Sequence, residues 1–263
     1  MANAASTTKR KRFVEYIHGQ IRELLTNYGK IDILWYDVSH PLKAEGWESE
    51  RMNAMAYQLQ PDIILNNRNQ LPGDFGTPEQ RIEASDKPWE SCMTLNGSWG
   101  YCKTDIEWKS PATIVNNLAT CARGGGNYLL NIGPRGDGSV PEDSIRVLDT
   151  VGDWLSRNGA AIHGTERCKA SWSELANFTR RGNKLYIIVR LWDGDSLAIP
   201  GLIPKVTSAR LLVSGDALKY TQNSERLVFH GLPLTPPDQP ATVIEAECDG
   251  EPAQINRLAI RGR

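Results

Sequence analysis

Two hydrophobic periods alternate along the first half of the chain. In residues 13–28 apolar side chains recur at steps of three and four, the period of an amphipathic helix, and Gly29 follows as a helix stop. The run 31–36 is short and mostly apolar and leads into Asp37, which predicts a strand. Further helices are predicted at 48–59, 112–122 and 141–157, and further strands at 63–65, 90–94 and 127–132. This alternation favours a largely parallel sheet or barrel with right-handed crossovers.

The pattern changes beyond about residue 166. Short β-rich runs follow one another there, separated by Gly, Pro, Asn and Asp and without any helical period between them, at 185–189, 209–213, 226–229 and 241–244. Runs of this kind predict an all-β module, most simply a sandwich of two sheets. We therefore expect two domains, 1–165 and 166–263, joined near Gly164.

The first domain is short for a complete barrel. An eight-fold β/α barrel takes about 250 residues, whereas about 165 residues precede the change in pattern and supply four or five predicted strands. The expected fold is α/β: a partial or shortened (β/α)8-type barrel followed by a C-terminal all-β sandwich domain. Three explanations stay open, namely a missing N-terminal half, an open sheet, or a second chain that completes the barrel.

Composition excludes some classes of partner. The chain is 40% hydrophobic and 23% charged with a net charge of −1, so there is no electrostatic case for nucleic acid or an anionic membrane as a partner. The basic run 9–12 is more typical of a solvated helix start. No apolar stretch approaches membrane-spanning length and the first 12 residues lack the apolar core of a signal peptide, so we expect a cytoplasmic protein.

The sequence also gives little support for disulfides or metals. The five cysteines are odd in number and widely spread, which argues against a disulfide framework and against a Cys-x-x-Cys metal site. The four histidines show no ligand spacing. We therefore expect no metal and no cofactor. The glycines at 124–126 follow a predicted helix and precede a strand, the reverse of the order in a phosphate-binding loop, so they are interpreted as a helix stop.

Three carboxylates are candidates for chemistry. Asp37 ends a mostly apolar strand, which is where barrel enzymes place active-site residues, although an Asp there is about as often a loop cap. Glu79 and Glu90 lie in a long loop region beside rigid or aromatic neighbours, and each taken alone is more often a surface residue. Aromatic residues crowd the same part of the chain: Trp35, Trp47, Trp89, Trp99, Tyr101 and Trp108. Two carboxylates beside stacking rings are typical of a glycosidase, because sugar rings present apolar faces to aromatic side chains.

Several motifs in the same order resemble a known family. They are YGKIDILWYD at 28–37, GDFGTPEQ at 73–80, WE at 89–90, SWGY at 98–101, GGNYLLNIGP at 125–134 and DG at 137–138. Together they resemble the α-L-fucosidases of glycoside hydrolase family 29, from about residue 13 to residue 164. The resemblance implies retaining hydrolysis of terminal α-L-fucosyl linkages in fucosylated oligosaccharides or glycoconjugates, through a covalent fucosyl-enzyme intermediate.

The same resemblance implies roles for individual residues. Asp37 falls on the nucleophile of the family. Glu79 falls on the acid/base of members that carry Thr-Pro-Glu, and Glu90 on the acid/base proposed for other members. We favour Glu79, because the block at 73–80 resembles the subgroup that uses that residue. Substrate-binding positions are implied at Trp35, Arg68, Trp99 and Tyr101.

Two departures from the family pattern leave alternatives open. Val38 stands where the family usually has a small residue, and the histidine pair that the family carries on early barrel strands has no counterpart. If the chain is active, we expect a second copy to supply the missing residues across a dimer interface, so a homo-oligomer is expected. The alternatives are a truncated, catalytically inactive carbohydrate-binding remnant and a purely structural fragment.

Overall fold

The computed structural model describes residues 4–37, 40–171 and 173–255. Helices and short strands alternate up to residue 161 in this order: α1 (Ala4–Asn27), β1 (Ile33–Leu34), α2 (Ala44–Trp47), α3 (Ser49–Leu59), β2 (Ile64–Leu65), β3 (Glu90–Thr94), α4 (Pro111–Arg123), β4 (Asn127–Asn131), α5 (Glu142–Asn158) and a 3-10 turn (Gly159–Ala161). The helices and strands predicted for this half of the sequence are confirmed, but α1 begins nine residues before the predicted start and β1 is shorter than the predicted strand 31–36. Helix α2 was not predicted.

The chain divides into two compact units. The N-terminal unit comprises Met1–Thr77 and Ser85–Trp89, and the C-terminal unit comprises Pro78–Ala84 and Glu90–Arg263. These boundaries differ from the predicted domains 1–165 and 166–263, and that division stays a prediction.

A small core holds the N-terminal unit together. Helix α1 buries one stripe, including Ile21 and Leu25, against Met52 and Met55 of α3, and Leu65 of β2 lies in the same cluster. Strands β1 and β2 are parallel, with Ile33 opposite Ile64. The connection through α2 and α3 therefore brings β2 alongside β1 in the same direction, as the alternating pattern predicts.

The C-terminal unit begins with a parallel pair of strands, β3 and β4, and two amphipathic helices, α4 and α5. Strand β3 pairs with β4 over five residue pairs, from Glu90 opposite Asn127 to Thr94 opposite Asn131. Helix α4 begins cleanly because the Ser110 side chain accepts a hydrogen bond from the backbone N–H of the third helical residue, and proline occupies the first helical position. The fully buried Trp154 of α5 donates from Nε1 to the carbonyl oxygen of Ala241 at 2.7 Å.

The strands after the 3-10 turn form two antiparallel sheets. They are β5 (Ala176–Arg181), β6 (Lys184–Val189), β7 (Ser196–Pro200), β8 (Val206–Leu211), β9 (Lys219–Gln222), β10 (Arg226–His230) and β11 (Thr242–Cys248). One sheet has the order β5-β6-β11-β8 and the other β7-β10-β9. Side chains from both sheets share one core that includes Phe178, Ile187, Ile199, Phe229 and Ile244. Two sheets over a common core are typical of a β sandwich.

The fold is therefore mixed α/β with a C-terminal β module. The described residues contain two pairs of parallel strands in the first half and no closed barrel, so the partial (β/α)8 barrel stays a prediction. Four C-terminal strands were predicted and are confirmed. Strands β5 and β9 escaped prediction because polar residues interrupt their apolar pattern, and β7 escaped because its apolar run is only three residues long and ends at a proline. None of the described helices is long and apolar enough to cross a membrane.

Candidate active site

Asp37 lies just beyond the C-terminal end of β1, as predicted. Its side chain is 68% exposed, and Oδ1 lies 3.4 Å from Nη1 of Arg68. The Asp37 carboxylate therefore faces solvent at the end of the strand. The carboxylate is therefore open to a ligand that arrives from solvent, as a nucleophile must be.

Arg68 is the centre of a small network in the N-terminal unit. Its guanidinium lies over the Trp35 ring, with Cζ 4.7 Å from the ring centroid. Nε donates to Thr77 Oγ1 at 3.0 Å and Nη2 donates to the Thr77 carbonyl oxygen at 3.4 Å. The side chain is only 18% exposed. The structure thus brings together three of the predicted site residues, Asp37, Arg68 and Trp35.

A buried carboxamide fixes the backbone next to Asp37. Asn66 Oδ1 accepts from the backbone N–H of Tyr36 at 3.0 Å, and Asn66 Nδ2 donates to the carbonyl oxygen of Tyr36 at 2.9 Å. Asn66 is fully buried. The Asn66 side chain makes the hydrogen bonds to the Tyr36 backbone that a neighbouring strand would otherwise make. Strand β1 therefore covers only two residues of the predicted strand 31–36. The end of the strand is therefore held by a side chain instead of by the sheet ladder.

Close packing also surrounds the backbone of Asn66 and the ring of Tyr36. A Cβ atom at Gly73 would lie 2.5 Å from the backbone carbon of Asn66, so only glycine fits there. The hydroxyl of Tyr36 donates to Asn53 Oδ1 at 3.1 Å, and burial raises the pKa of Tyr36. Tyr36 is therefore a protonated, structural residue at neutral pH.

Glu79 and Glu90 lie on neighbouring parallel segments of the C-terminal unit. Glu79 is exposed and pairs with Cys92 through a parallel bridge, flanked by hydrogen bonds from Gln80 N to Cys92 O at 2.9 Å and from Cys92 N to Pro78 O at 3.0 Å. Glu90 is half-buried and is the first residue of β3. Glu79 is thus level with a residue two positions nearer the C-terminal end of β3 than Glu90 is.

Trp99 and Tyr101 lie on one well-anchored loop after β3. Both side chains are exposed, at 42% and 44%, although both are large aromatics. Asn131 Nδ2 donates to the carbonyl oxygen of Trp99 at 2.7 Å, and Arg135 Cζ lies 5.7 Å from the centroid of the Tyr101 ring. A Cβ atom at Gly133 would lie 2.7 Å from the backbone carbon of the glycine between the two aromatics. A rigid backbone that presents exposed rings is suited to stacking on a sugar.

The remaining site predictions concern a loop residue and metals. Val38, the departure from the family pattern after Asp37, lies outside the described residues. Within the described part of the chain, no three His, Cys, Asp or Glu side chains form a group that could hold a metal ion.

Comparison with known proteins identifies the family. A family model described as alpha-L-fucosidase matches residues 1–160, more than half of the sequence. The chain belongs to the α-L-fucosidase family. Its curated relatives include the human tissue alpha-L-fucosidase, 28% identical over 240 residues, and the rat plasma alpha-L-fucosidase, 30% identical over 256 residues. These matches cover 83% and 89% of this chain, respectively.

Solved α-L-fucosidase structures share the fold. The alpha-L-fucosidase isoenzyme 1 from Paenibacillus thiaminolyticus superposes with a TM-score of 0.84 at 34% identity, covering 91% of this chain and 63% of that one. The enzyme from Vibrio sp. strain EJY3 gives a TM-score of 0.76 at 28% identity and covers 91% of this chain and 46% of that one. The chain spans about half the length of the curated α-L-fucosidases that it matches, 51% for the human enzyme.

Several residues that hold the candidate site residues in place were not predicted from the sequence. Asn66 and Thr77 carry much of the network around Arg68, and Asn131 and Gly133 anchor the aromatic loop. One signal was available: Asn66 directly follows a predicted strand, at the end where parallel sheets gather functional side chains. The roles of Thr77 and Gly133 depend on long-range contacts that no local pattern reveals.

Proposed function

We propose that this α-L-fucosidase family chain is a retaining α-L-fucosidase that hydrolyses terminal α-L-fucosyl linkages through a covalent intermediate. The observation that carries the proposal is the Asp37 carboxylate, exposed at the end of β1 and held beside Arg68 over Trp35. The names of its relatives support the substrate class, since each is described as an alpha-L-fucosidase. Fucosylated glycans are the substrates we expect.

In the first step Asp37 attacks the anomeric carbon of the fucosyl residue. The carbon–oxygen bond to the leaving group breaks as the new ester bond forms, and Glu79 gives its proton to the departing oxygen. In the second step Glu79 accepts a proton from water, which attacks the same carbon and releases Asp37. Two inversions retain the configuration. This chemistry requires the two carboxyl groups to come within about 5 to 5.5 Å in the active protein.

Glu79 is the preferred acid/base, with Glu90 as the alternative. Active sites of parallel β/α sheets lie at the C-terminal ends of the strands. Glu90 begins β3, whereas Glu79 is level with Cys92 further along it, which supports Glu79. Glu79→Gln should therefore depress the hydrolysis of substrates with poor leaving groups far more than Glu90→Gln does, because only poor leaving groups need protonation.

We assign substrate binding to Trp35, Arg68, Trp99 and Tyr101. The guanidinium of Arg68 can donate to hydroxyl groups of the sugar while it faces Asp37. The exposed rings of Trp99 and Tyr101 offer stacking surfaces for apolar sugar faces.

We further propose that the chain works as a homo-oligomer. Ile33 and Ile64 are 52% and 41% exposed and lie side by side on the β1–β2 pair, so this sheet leaves an apolar face open. Open apolar faces and strand edges favour association. Ile33→Glu should reduce the mass measured by light scattering, whereas Ile106→Glu, at a still more exposed position, should not. A wild-type monomer that hydrolyses fucosides would contradict this part of the proposal.

The site of action proposed is the cytoplasm. All five cysteines are free thiols, as a reducing compartment would keep them. Fractionation of cells that produce the protein tests this location.

The deciding experiment follows the release of aryl alcohol from an aryl α-L-fucoside. The wild-type chain should release it, and Asp37→Gly should reduce release to the uncatalysed background. Azide should restore turnover in Asp37→Gly by taking the place of the carboxylate, and should yield a fucosyl azide of inverted configuration. A folded wild-type chain that binds fucose but releases nothing would support the carbohydrate-binding remnant instead.

A further inference from the structure

Thr77 makes three hydrogen bonds with two neighbours. Its hydroxyl accepts from Arg68 Nε at 3.0 Å and donates to Asn67 Oδ1 at 3.2 Å, while its carbonyl oxygen accepts from Arg68 Nη2 at 3.4 Å. A threonine hydroxyl has one donor and can accept as well, so its one proton and a lone pair are both used here. Thr77 is buried, and Asn67 is exposed.

The Arg68 guanidinium needs such a contact to be fixed. The contact with Trp35, 4.7 Å from Cζ to the ring centroid, holds the group over the ring but does not define which of its edges faces Asp37. Two bonds to Thr77, one from Nε and one from Nη2, define a direction in the plane. The opposite edge, which carries Nη1, then faces Asp37 Oδ1 at 3.4 Å. The orientation of Arg68 toward Asp37 therefore depends on Thr77, whose hydroxyl accepts the shorter of the two bonds.

We propose that Thr77 is a positioning residue that acts on catalysis through Arg68. This inference rests on the proposed function, in which Asp37 is the nucleophile. Thr77 touches neither the reacting atoms nor the sugar in this role. It holds the cation that orients the nucleophilic carboxylate, and small errors in such an orientation cost large factors in rate.

Two substitutions isolate the hydroxyl. Thr77→Val keeps the shape and removes the hydroxyl, whereas Thr77→Ser keeps the hydroxyl and loses a methyl group. Losing a hydrogen bond from a charged group should lower kcat/KM of Thr77→Val by about 10- to 100-fold. Thr77→Ser should stay within roughly threefold of wild type. Matched circular dichroism and melting of the two variants establish that both are folded.

A double-mutant cycle separates positioning from a merely structural role. In an Arg68→Ala background, Thr77→Val should cost roughly twofold or less, because the group that Thr77 positions is gone. An equal loss in both backgrounds would overturn the proposal. The cycle is read in kcat as well as in kcat/KM, since misplacement of the nucleophile lowers kcat.

A second readout works whether or not the chain hydrolyses fucosides. In a ¹⁵N-labelled protein the Nε–H signal of Arg68 is assigned by its loss in Arg68→Lys. This signal should be sharp in the wild type and in Thr77→Ser, and should shift and exchange faster with water in Thr77→Val. An unchanged signal in Thr77→Val overturns the inference. Failure of the proposed function alone would instead appear as an inactive wild type with the expected change in this signal.

Discussion

Replacing Asn66 with alanine should destabilise the N-terminal unit and disorder the strand end that carries Asp37. The change removes the hydrogen bonds to the backbone N–H and carbonyl of Tyr36, at 3.0 and 2.9 Å, and empties a fully buried site. Each backbone group left without its partner costs about 1 to 3 kcal/mol. Tyr36 is half-buried, so water partly replaces the lost bonds. We therefore expect the free energy of unfolding to fall by about 2 to 4 kcal/mol.

Asn67→Ala is the matched control, because it makes the same chemical change at the next residue. Asn67 is exposed and accepts one hydrogen bond, from Thr77 at 3.2 Å. Its loss should cost less than about 1 kcal/mol, because water can replace an exposed partner. Urea unfolding followed by tryptophan fluorescence measures both values. Equal losses in the two variants would refute the idea that a buried carboxamide holds this strand end.

Three further predictions concern the C-terminal unit. Trp154→Phe keeps most of the buried ring but removes the 2.7 Å bond to a backbone carbonyl before β11, and should cost about 1 to 3 kcal/mol in urea unfolding. Gly133→Ala places a Cβ atom 2.8 Å from the backbone nitrogen of Tyr101, so it should displace the aromatic loop and weaken the binding of fucose, as measured by calorimetry. Gly136→Ala is the control: its Cβ atom meets nothing within 4 Å, and this variant should bind fucose normally. Cys102 should react first with a thiol reagent, because it is exposed and hydrogen bonding with Thr104 lowers its pKa, so more of it is thiolate at a given pH. The four buried cysteines should react only on unfolding, and prompt labelling of any of them in the folded protein would contradict this reading.

The sequence predicted the elements that follow a single strong period. Helices α4 and α5 are amphipathic and have clear start signals, and their predicted limits lie within a residue or two of the observed ones. Strand β9 escaped prediction because its four residues, Lys219–Gln222, alternate between exposed and half-buried positions and include no aliphatic side chain. A strand of this kind is held by its neighbour β10, and that information lies elsewhere in the chain.

The candidate site shows the same division between local and distant information. Asp37 was predicted because a strand end is a local pattern. Arg68 and Thr77, which are hydrogen-bonded, are nine positions apart in the sequence. Arg68 also contacts Asp37, which lies 31 positions before it. Such contacts become visible only once the strands are placed side by side.

The Trp154 bond has a consequence for how this protein can be divided or altered. Tyr186, Ile188 and Val243, from strands of the four-stranded sheet, lie in one buried cluster with residues of α4 and α5. Helices α4 and α5 therefore pack against the four-stranded sheet and bury their apolar side chains on it. Cutting the chain near residue 165 would leave Trp154 without its cover, and the shortened product should aggregate. Substitutions in these β strands can then alter β4 as well, because Tyr128 and Leu130 of β4 pack against the same cluster.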